Sequence, residues 1–414
     1  KPPRRRRATV HNATYKEKRR FIIKLGKNLH KYGTPTDRLE THLDNTAKLL
    51  NINAGFMVAP TSITFLFQHP DEHHDDNHIV RVKPGELDLG ALSRTDAVVD
   101  KLENGSLSLA EADQQLDEIA QKPSRYSPLV TLLAFAGGSA AFALLSHGSW
   151  HDICSSALIG TVVFALVTLA QSYERVAYML EPLAAVTAAF LICCLNRIDP
   201  AINVPLVILS SIIVLIPGLA LLQGLAELSA RHLVSGSARD ALMQMFKLYF
   251  GSWLGIALAS AFLGPLQFQA VTFNTSWSAW VAVATLSITL TIILKARSKD
   301  IPWMLASGCI AYGASLWGGA VFGIALGAFI GAFAVGIFSN LYARMMKSPA
   351  LIPSLPGLVV LVPGSKIFIL LNRAISGQEQ FASDQLGQQA FLVFMSLVAG
   401  IIFANVITPP KRSL

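Results

Sequence analysis

Two carboxylates stand within or beside long apolar segments, where an ionisable side chain is costly and usually functional. Glu181 lies about five residues into one apolar run, and Glu227 lies at the end of another. A carboxyl group in a partly dry cavity has a raised pKa and can carry a proton. We therefore predict both as proton carriers. The alternative for Glu181 is an ion pair with Arg175, and for Glu227 an ion pair with Arg231 at i+4, which is the favoured one.

Two Pro-Gly pairs, Pro217-Gly218 and Pro363-Gly364, interrupt apolar runs. Proline lacks an N–H and clashes with the carbonyl one turn back, and the adjacent glycine frees the backbone further. Within a membrane the released carbonyl groups are tolerated where they line a wet cavity or pack in protein. The pairs are thus predicted to open one central substrate site. A pair of structural kinks is the alternative.

Polar side chains follow both breaks. Ser365 and Lys366 come directly after the second, where the first turn of a restarting helix and an ammonium group would suit a carboxylate. Gln223 and Asn372 follow one to two turns beyond the breaks and could bind an amino-acid backbone or a hydroxyl. The alternatives are snorkelling of Lys366 to the membrane interface and hydrogen bonds between helices. The predicted substrate-binding residues are Pro217, Gly218, Gln223, Pro363, Gly364, Ser365, Lys366 and Asn372.

Neither a metal site nor a cofactor site is predicted. The polar stretch 69–78 holds His and carboxylate residues between two predicted strands, and a solvated hairpin loop is favoured there over a metal site. Cys154, Cys193, Cys194 and Cys309 show no ligand spacing. The sequence offers neither a Gly-rich phosphate loop nor a nucleophile–base pair, so we expect no enzyme.

The chain has two parts of different composition. Residues 1–126 hold 20 of the 34 Lys and Arg residues and 17 of the 26 Asp and Glu residues. The remaining residues carry long apolar runs with few charges, as insertion into a lipid bilayer demands. The net charge of +8 reflects a basic tail and basic loops, and it does not indicate nucleic-acid binding.

The N-terminal part is predicted to be a disordered basic tail at 1–15 followed by a cytosolic α+β domain at 16–126. Its predicted helices cover 17–31, a segment with Thr36 as N-cap, 88–103 and 108–121, and its strands cover 54–59, 62–68 and 78–83. The first residues are Lys-Pro-Pro-Arg rather than Met, which indicates a fragment of a longer protein.

The apolar part predicts a polytopic α-helical membrane protein with about ten transmembrane helices. The runs cover 129–146, 153–172, 176–195, 202–222, 241–263, 278–294, 302–317, 320–340, 352–371 and 388–407. If residue 126 is cytosolic, ten basic residues fall in cytosolic loops and two, Arg197 and Arg373, fall outside. Both termini are then cytosolic, and the sequon at Asn274 lies in an outer loop where glycosylation could occur.

An internal repeat divides the ten runs. The segments IIVLIPG at 212–218 and LVVLVPG at 358–364 place their prolines 146 residues apart (363 − 217). Because five helices per half is an odd number, the halves at 127–264 and 275–408 must be inverted repeats. Matching broken helices in inverted repeats indicate a transporter binding site.

Small residues recur at helical spacing in two places. Gly319, Gly323, Gly327 and Gly331 are expected to lie on one helix face and to pack either within the bundle or between two copies of the chain, as in a homodimer. Ala177, Ala185 and Ala189 are expected to form a similar face on the third helix.

The segments LHKYGTPTDRLE at 29–40, LIPG at 215–218, VSGSAR at 234–239 and LVPG at 361–364 carry a family resemblance. With them the chain resembles the threonine/serine exporter family, and within it the fungal branch of pheromone-regulated multispanning membrane proteins, over about residues 17–408. The resemblance implies export of small amino acids driven by protons. Some relatives move small dicarboxylates instead, and the stretch 69–78 looks like an insertion.

The sequence therefore favours a secondary transporter in a lipid bilayer, with small-molecule substrate and protons as partners. Two other classes remain open: a non-transporting membrane scaffold and a membrane-tethered hydrolase. The plasma membrane and an internal membrane such as the vacuole are not distinguished by the sequence.

Overall fold

The computed structural model describes residues 13–68, 75–82, 87–122, 125–218, 220, 236–264, 277–361 and 383–409. Most of the predicted basic tail lies outside these residues. The described chain divides into an N-terminal part that combines helices with one β-sheet and a following part that contains only helices.

The N-terminal part closely follows the sequence prediction. Its elements are α1 (Tyr15–Lys31), α2 (Thr36–Leu49), β1 (Asn53–Ala59), β2 (Ser62–Gln68), β3 (Asp75–Arg81), α3 (Leu89–Glu103) and α4 (Leu109–Gln121). The strands form an antiparallel sheet in the order β1-β2-β3. The predicted N-cap was wrong: Pro35 holds that position in extended backbone, so Thr36 is already the first helical residue.

Side-chain periodicity explains why the sheet packs on α1. Ile63, Phe65 and Phe67 alternate along β2 and are fully buried on one face of the sheet. Leu25 and Leu29 are four residues apart on α1 and are buried too. Capping boxes begin α1 at Thr14 and Glu17, and α4 at Ser108 and Glu111.

The helical part forms an apolar bundle. Its elements are α5 (Pro128–Leu145), α6 (Trp150–Ser172), α7 (Glu174–Tyr178), α8 (Leu180–Ile198), α9 (Val204–Ser211), α10 (Gly236–Leu263), α11 (Ser278–Ile293), α12 (Ile301–Phe322), α13 (Ile324–Met346), α14 (Leu351–Leu361) and α15 (Ser383–Ile407). Within the described ranges, six of these helices are long and apolar enough to cross a membrane: α5, α6, α8, α10, α12 and α13. The chain is thus a polytopic helical membrane protein.

The helices up to α10 and those from α11 onward pack in the same pattern. In the first set the neighbours are α5–α6, α5–α9, α6–α8, α6–α9, α8–α9 and α8–α10. In the second set they are α11–α12, α11–α14, α12–α13, α12–α14, α13–α14 and α13–α15. The two sets meet where α5 packs against α11, with Gly138 against the Thr289 side chain.

Glycine contacts repeat between the two sets. A Cβ on Gly160 of α6 would lie 2.5 Å from Ser139 Oγ of α5. A Cβ on Gly308 of α12 would collide with Ser287 Oγ of α11. Both pairs are 148 residues apart in sequence (308 − 160 and 287 − 139). The first two helices of each set therefore approach through the same glycine–serine contact.

A second glycine contact joins α8 to α10 in the first set and α13 to α15 in the second set. Gly255 of α10 lies against the Val186 carbonyl and Ala189 of α8, and Gly400 of α15 lies against the Phe329 carbonyl and Ala332 of α13. A side chain at either glycine would meet backbone atoms, so these helices pack at backbone distance.

The expected single face of four glycines was wrong. Gly323 has φ +89° and separates α12 from α13, so Gly319 lies on one helix while Gly327 and Gly331 lie on the next. A positive φ suits glycine because it has no Cβ. Gly327 packs on Gly319 backbone atoms within one chain. The expected third-helix face likewise loses Ala177, which lies in α7.

The N-terminal part packs onto the second set of helices. One continuous apolar cluster joins Leu89 and Leu92 of α3 to Met304 of α12, Tyr342 of α13 and Ile352 of α14. One apolar cluster therefore runs from the N-terminal part to the start of α14.

Candidate functional site

Glu181 lies in the first turn of α8, and its side chain is 18% exposed. Its Oε2 atom lies 3.6 Å from Nζ of Lys247 on α10. Among the described residues Oε2 accepts no hydrogen bond. This carboxylate is thus mostly buried, with an opposite charge nearby and one oxygen without a hydrogen bond from the described residues.

Lys247 replaces the expected partner of Glu181. Arg175 lies on α7, and the backbone turns at Met179 before α8 begins, so the two residues do not share a helix. The close packing of α10 on α8 brings Lys247 near instead, because a Cβ on Gly251 would lie 2.5 Å from the Pro182 carbonyl oxygen.

The first helix break lies where the sequence predicts it. Helix α9 ends at Ser211, a short 3₁₀ turn covers Ile213–Leu215, and Ile216 is extended with ψ 119°. Pro217 and Gly218 follow, and both are buried. The break therefore packs within protein, as a lipid environment requires of irregular backbone.

The predicted break at Pro363 and Gly364 lies outside the described residues. Helix α14 contains Pro356 and ends at Leu361, two residues before the second Pro-Gly pair. Seven predicted site residues lie outside the described residues: Gln223, Glu227, Pro363, Gly364, Ser365, Lys366 and Asn372.

Two fully buried carboxylates were missed by the sequence analysis. Asp152 lies in the first turn of α6 and Asp300 immediately precedes α12, and both are 0% exposed. They are 148 residues apart (300 − 152), the spacing of the glycine–serine contacts. A lone Asp at the start of the second apolar helix of each half was the pattern that could have identified them.

Asp152 ties α6 to the start of the first broken helix. It accepts hydrogen bonds from Ser149 N–H and Oγ at 2.8 Å and from the Asn203 N–H at 2.6 Å. Asn203 is the N-cap of α9. Every one of these donors is neutral.

Asp300 makes an equivalent link through a charged side chain. It accepts from Arg297 Nε at 2.8 Å and from the Tyr342 hydroxyl at 2.8 Å. The same guanidinium donates to Ser348 Oγ at 3.0 Å, three residues before α14 begins. Bidentate geometry and burial make the Arg297–Asp300 pair hard to break.

Metal and thiol chemistry find little support in the described part of the chain. There, no group of three His, Cys, Asp or Glu side chains comes together as a metal site. Residues 69–74 of the polar stretch lie outside the described residues, and Asp75–His78 belong to β3. The four cysteines are free thiols.

Known protein families match most of the chain. A family model described as "Putative threonine/serine exporter" matches residues 20–259, and a second, "Threonine/Serine exporter, ThrE", matches residues 278–407. The two matches are separated by residues 260–277, near the boundary between the two helix sets.

Curated fungal relatives cover the same region. Pheromone-regulated membrane protein 10 of Candida albicans is 29% identical over 376 residues, which are 87% of this chain and 34% of that protein. The proteins of that name in Eremothecium gossypii and Saccharomyces cerevisiae are each 28% identical over 86% of this chain. The chain spans from about a third to a half of the length of these relatives. No solved structure matches the chain.

Proposed function

Because the chain belongs to the threonine/serine exporter family, we propose that it is a secondary transporter that exports small polar solutes of the threonine or serine type by proton antiport. The family is one of membrane transporters rather than enzymes, so a small-molecule substrate fits it. The half-buried pair of Glu181 and Lys247 within an apolar bundle carries the proton-coupling half of the proposal.

The proposed architecture is ten transmembrane helices in two inverted five-helix repeats, with a cytosolic N-terminal α+β domain. The matching neighbour relations, the two glycine contacts and the paired buried carboxylates support the repeat. Four further apolar helices, α9, α11, α14 and α15, complete the count. The loop charges favour cytosolic termini.

The substrate would bind between the two breaks. Pro217 and Gly218 supply the first half of the site, and Pro363, Gly364 and Lys366 supply the second. Ser365, Gln223 and Asn372 provide further polar groups, and Glu227 is a second candidate proton carrier. Unwound backbone facing a midplane cavity is the usual arrangement for such carriers.

Glu181 carries the proton in this proposal. When Glu181 is deprotonated, the ammonium group of Lys247 compensates its negative charge. When Glu181 is protonated, that ammonium group has lost its counter-ion and can move away into water. The two states therefore differ electrostatically at the contact between α8 and α10. Such a difference is what a proton must create to bias a conformational change.

Reconstituted protein tests this proposal. In proteoliposomes with a panel of labelled amino and dicarboxylic acids, wild type should show counterflow and proton-driven uptake of at least one solute. Glu181→Gln should abolish the proton-driven flux and retain exchange, because the glutamine cannot ionise. The control is Glu174→Gln on the exposed α7. Unchanged coupling in Glu181→Gln removes Glu181 from the mechanism.

A further inference from the structure

The linker between α11 and α12, residues 294–300, accepts hydrogen bonds from the N-terminal part at two carbonyl groups and is closely packed against it at a third. The Leu89 N–H donates to the Leu294 carbonyl at 3.1 Å, and the Tyr126 hydroxyl donates to the Ala296 carbonyl at 2.8 Å. Between them, a Cβ on Gly90 would lie 2.6 Å from the Lys295 carbonyl oxygen. The start of α3 is therefore fitted against this linker at backbone distance.

The same linker is also bonded to the segment just before α14. Arg297 donates to Asp300 and to Ser348, and Asp300 also accepts from Tyr342 of α13. Ala296 and Asp300 are both 0% exposed. The linker is thus hydrogen-bonded to the N-terminal part on one side. On the other side it is hydrogen-bonded to α13 and to Ser348, just before α14.

Close packing makes this an efficient mechanical connection. The apolar cluster is continuous from α3 through Ala296 and Met304 to Leu351 and Ile352. Packed interiors do not deform smoothly, so a displacement at one end moves the other end or breaks contacts.

We propose that the 294–300 linker couples the N-terminal part to α14, so that the N-terminal part sets the position of the helix that leads towards the predicted break at Pro363. This inference rests on the proposed transport function in one respect only, namely that α14 helps form the substrate site. Arg297 is a positioning residue, because it acts through Ser348 and Asp300 and does not touch substrate.

A wedge at Gly90 tests the connection without a transport assay. Gly90→Ala places a methyl group against the Lys295 carbonyl, whereas Gly55→Ala, in β1 of the same N-terminal part, has nothing within 4 Å of its new Cβ. In the full chain in nanodiscs, amide hydrogen exchange over 348–361 should quicken about fivefold or more in Gly90→Ala. It should stay at the wild-type rate in Gly55→Ala. Equal rates in all three proteins overturn the proposal.

Tyr126→Phe is the second test, and it applies even if Gly90→Ala does not fold. It removes only the hydroxyl group that donates to the Ala296 carbonyl. Exchange over 348–361 should rise here too. Combining it with Arg297→Lys should give less than the product of the two single effects, because both lie on one path. A strictly multiplicative combination would contradict a shared path.

Transport measurements separate this inference from the proposed function. If the wild-type protein transports no solute, the transporter proposal fails. The amide hydrogen exchange result still decides whether the linker couples the N-terminal part to α14. If wild type transports, Arg297→Lys and Tyr126→Phe should lower the maximal rate several-fold with little change in KM, because neither residue contacts substrate. A change confined to KM would contradict the positioning role.

Discussion

The two halves of the helical part share a packing pattern but differ at their buried carboxylates. In the first half, Asp152 reaches the start of α9 directly, through the Asn203 N–H. In the second half, Asp300 is linked to the segment before α14 through the guanidinium of Arg297 and the hydroxyl of Ser348. The second half also carries the contacts to the N-terminal part.

Under the proposed coupling, the difference makes α9 more independent of the N-terminal part than α14. The link from Asp152 is formed within its own half by neutral groups. The link from Asp300 is built around a buried ion pair whose linker is also bonded to Leu89 and Tyr126. One half can thus serve as a fixed frame while the other responds to the N-terminal part.

Removing the charge from each buried carboxylate should have the largest effect on stability. The size of the effect should differ between the two halves. Asp300→Asn leaves the Arg297 guanidinium, whose side chain is 14% exposed, without its counter-ion, and we expect a loss of about 3 kcal/mol. Asp152→Asn leaves one neutral donor unsatisfied, and we expect about 1–2 kcal/mol. The midpoint of thermal unfolding in nanodiscs measures both.

Double replacement provides the control for that comparison. In Arg297→Met with Asp300→Asn, the uncompensated charge is gone, so part of the lost stability should return. If Asp152→Asn proves as damaging as Asp300→Asn, the two halves are equivalent at these positions and the asymmetry is lost.

The glycine–serine contacts should instead show the halves to be alike. Gly160→Ala and Gly308→Ala each force a methyl group onto a serine of the neighbouring helix, and each should cost about 1–3 kcal/mol. Gly319→Ala, with nothing within 4 Å of its new Cβ, is the matched control and should be nearly neutral. Unequal losses of stability in Gly160→Ala and Gly308→Ala would argue against an internal repeat. The same unfolding midpoints provide the measurement.

Local patterns explain how much of the fold could be predicted. The alternation of apolar residues in β2 and the four-residue spacing of leucines on α1 can be recognised without tertiary contacts. Those elements were predicted within a few residues. The break before Pro217 was predicted for a similar reason, since proline acts on its own helix. Chain-local effects of this kind need no knowledge of neighbours.

Contacts between distant segments explain what was missed. Lys247 is 66 residues from Glu181 (247 − 181), and only the packing of α10 on α8 brings them together. Asp300 resembles a loop charge at the end of a helix, and its burial depends on Tyr342 and Ser348. The glycine spacing was misread because one glycine, Gly323, ends a helix rather than lining it.

Acidification should have the smallest effect on stability. It should increase amide hydrogen exchange in the second half before it does so in the first. His30 of α1 is 6% exposed, with Nε2 3.3 Å from the Ala59 carbonyl oxygen, and burial lowers its pKa. The folded N-terminal part therefore keeps this imidazole neutral while the unfolded chain takes up a proton below a pH of about 6.5. The stabilisation is complete above that pH and declines as the pH falls, by no more than about 1.4 kcal/mol per pH unit.

The same titration distinguishes α14 from α9. Between pH 7.5 and 5.5, amide hydrogen exchange corrected for intrinsic rates should rise in α14, which shares an apolar cluster with the N-terminal part, before it rises in α9. Tyr32, whose pKa burial raises, stays neutral over this range and adds nothing to the trend. His30→Gln should remove the pH dependence because the amide does not titrate. A parallel rise in α9 and α14 would mean that the N-terminal part acts on both halves, and the asymmetry at Asp300 would then be structural without being mechanical.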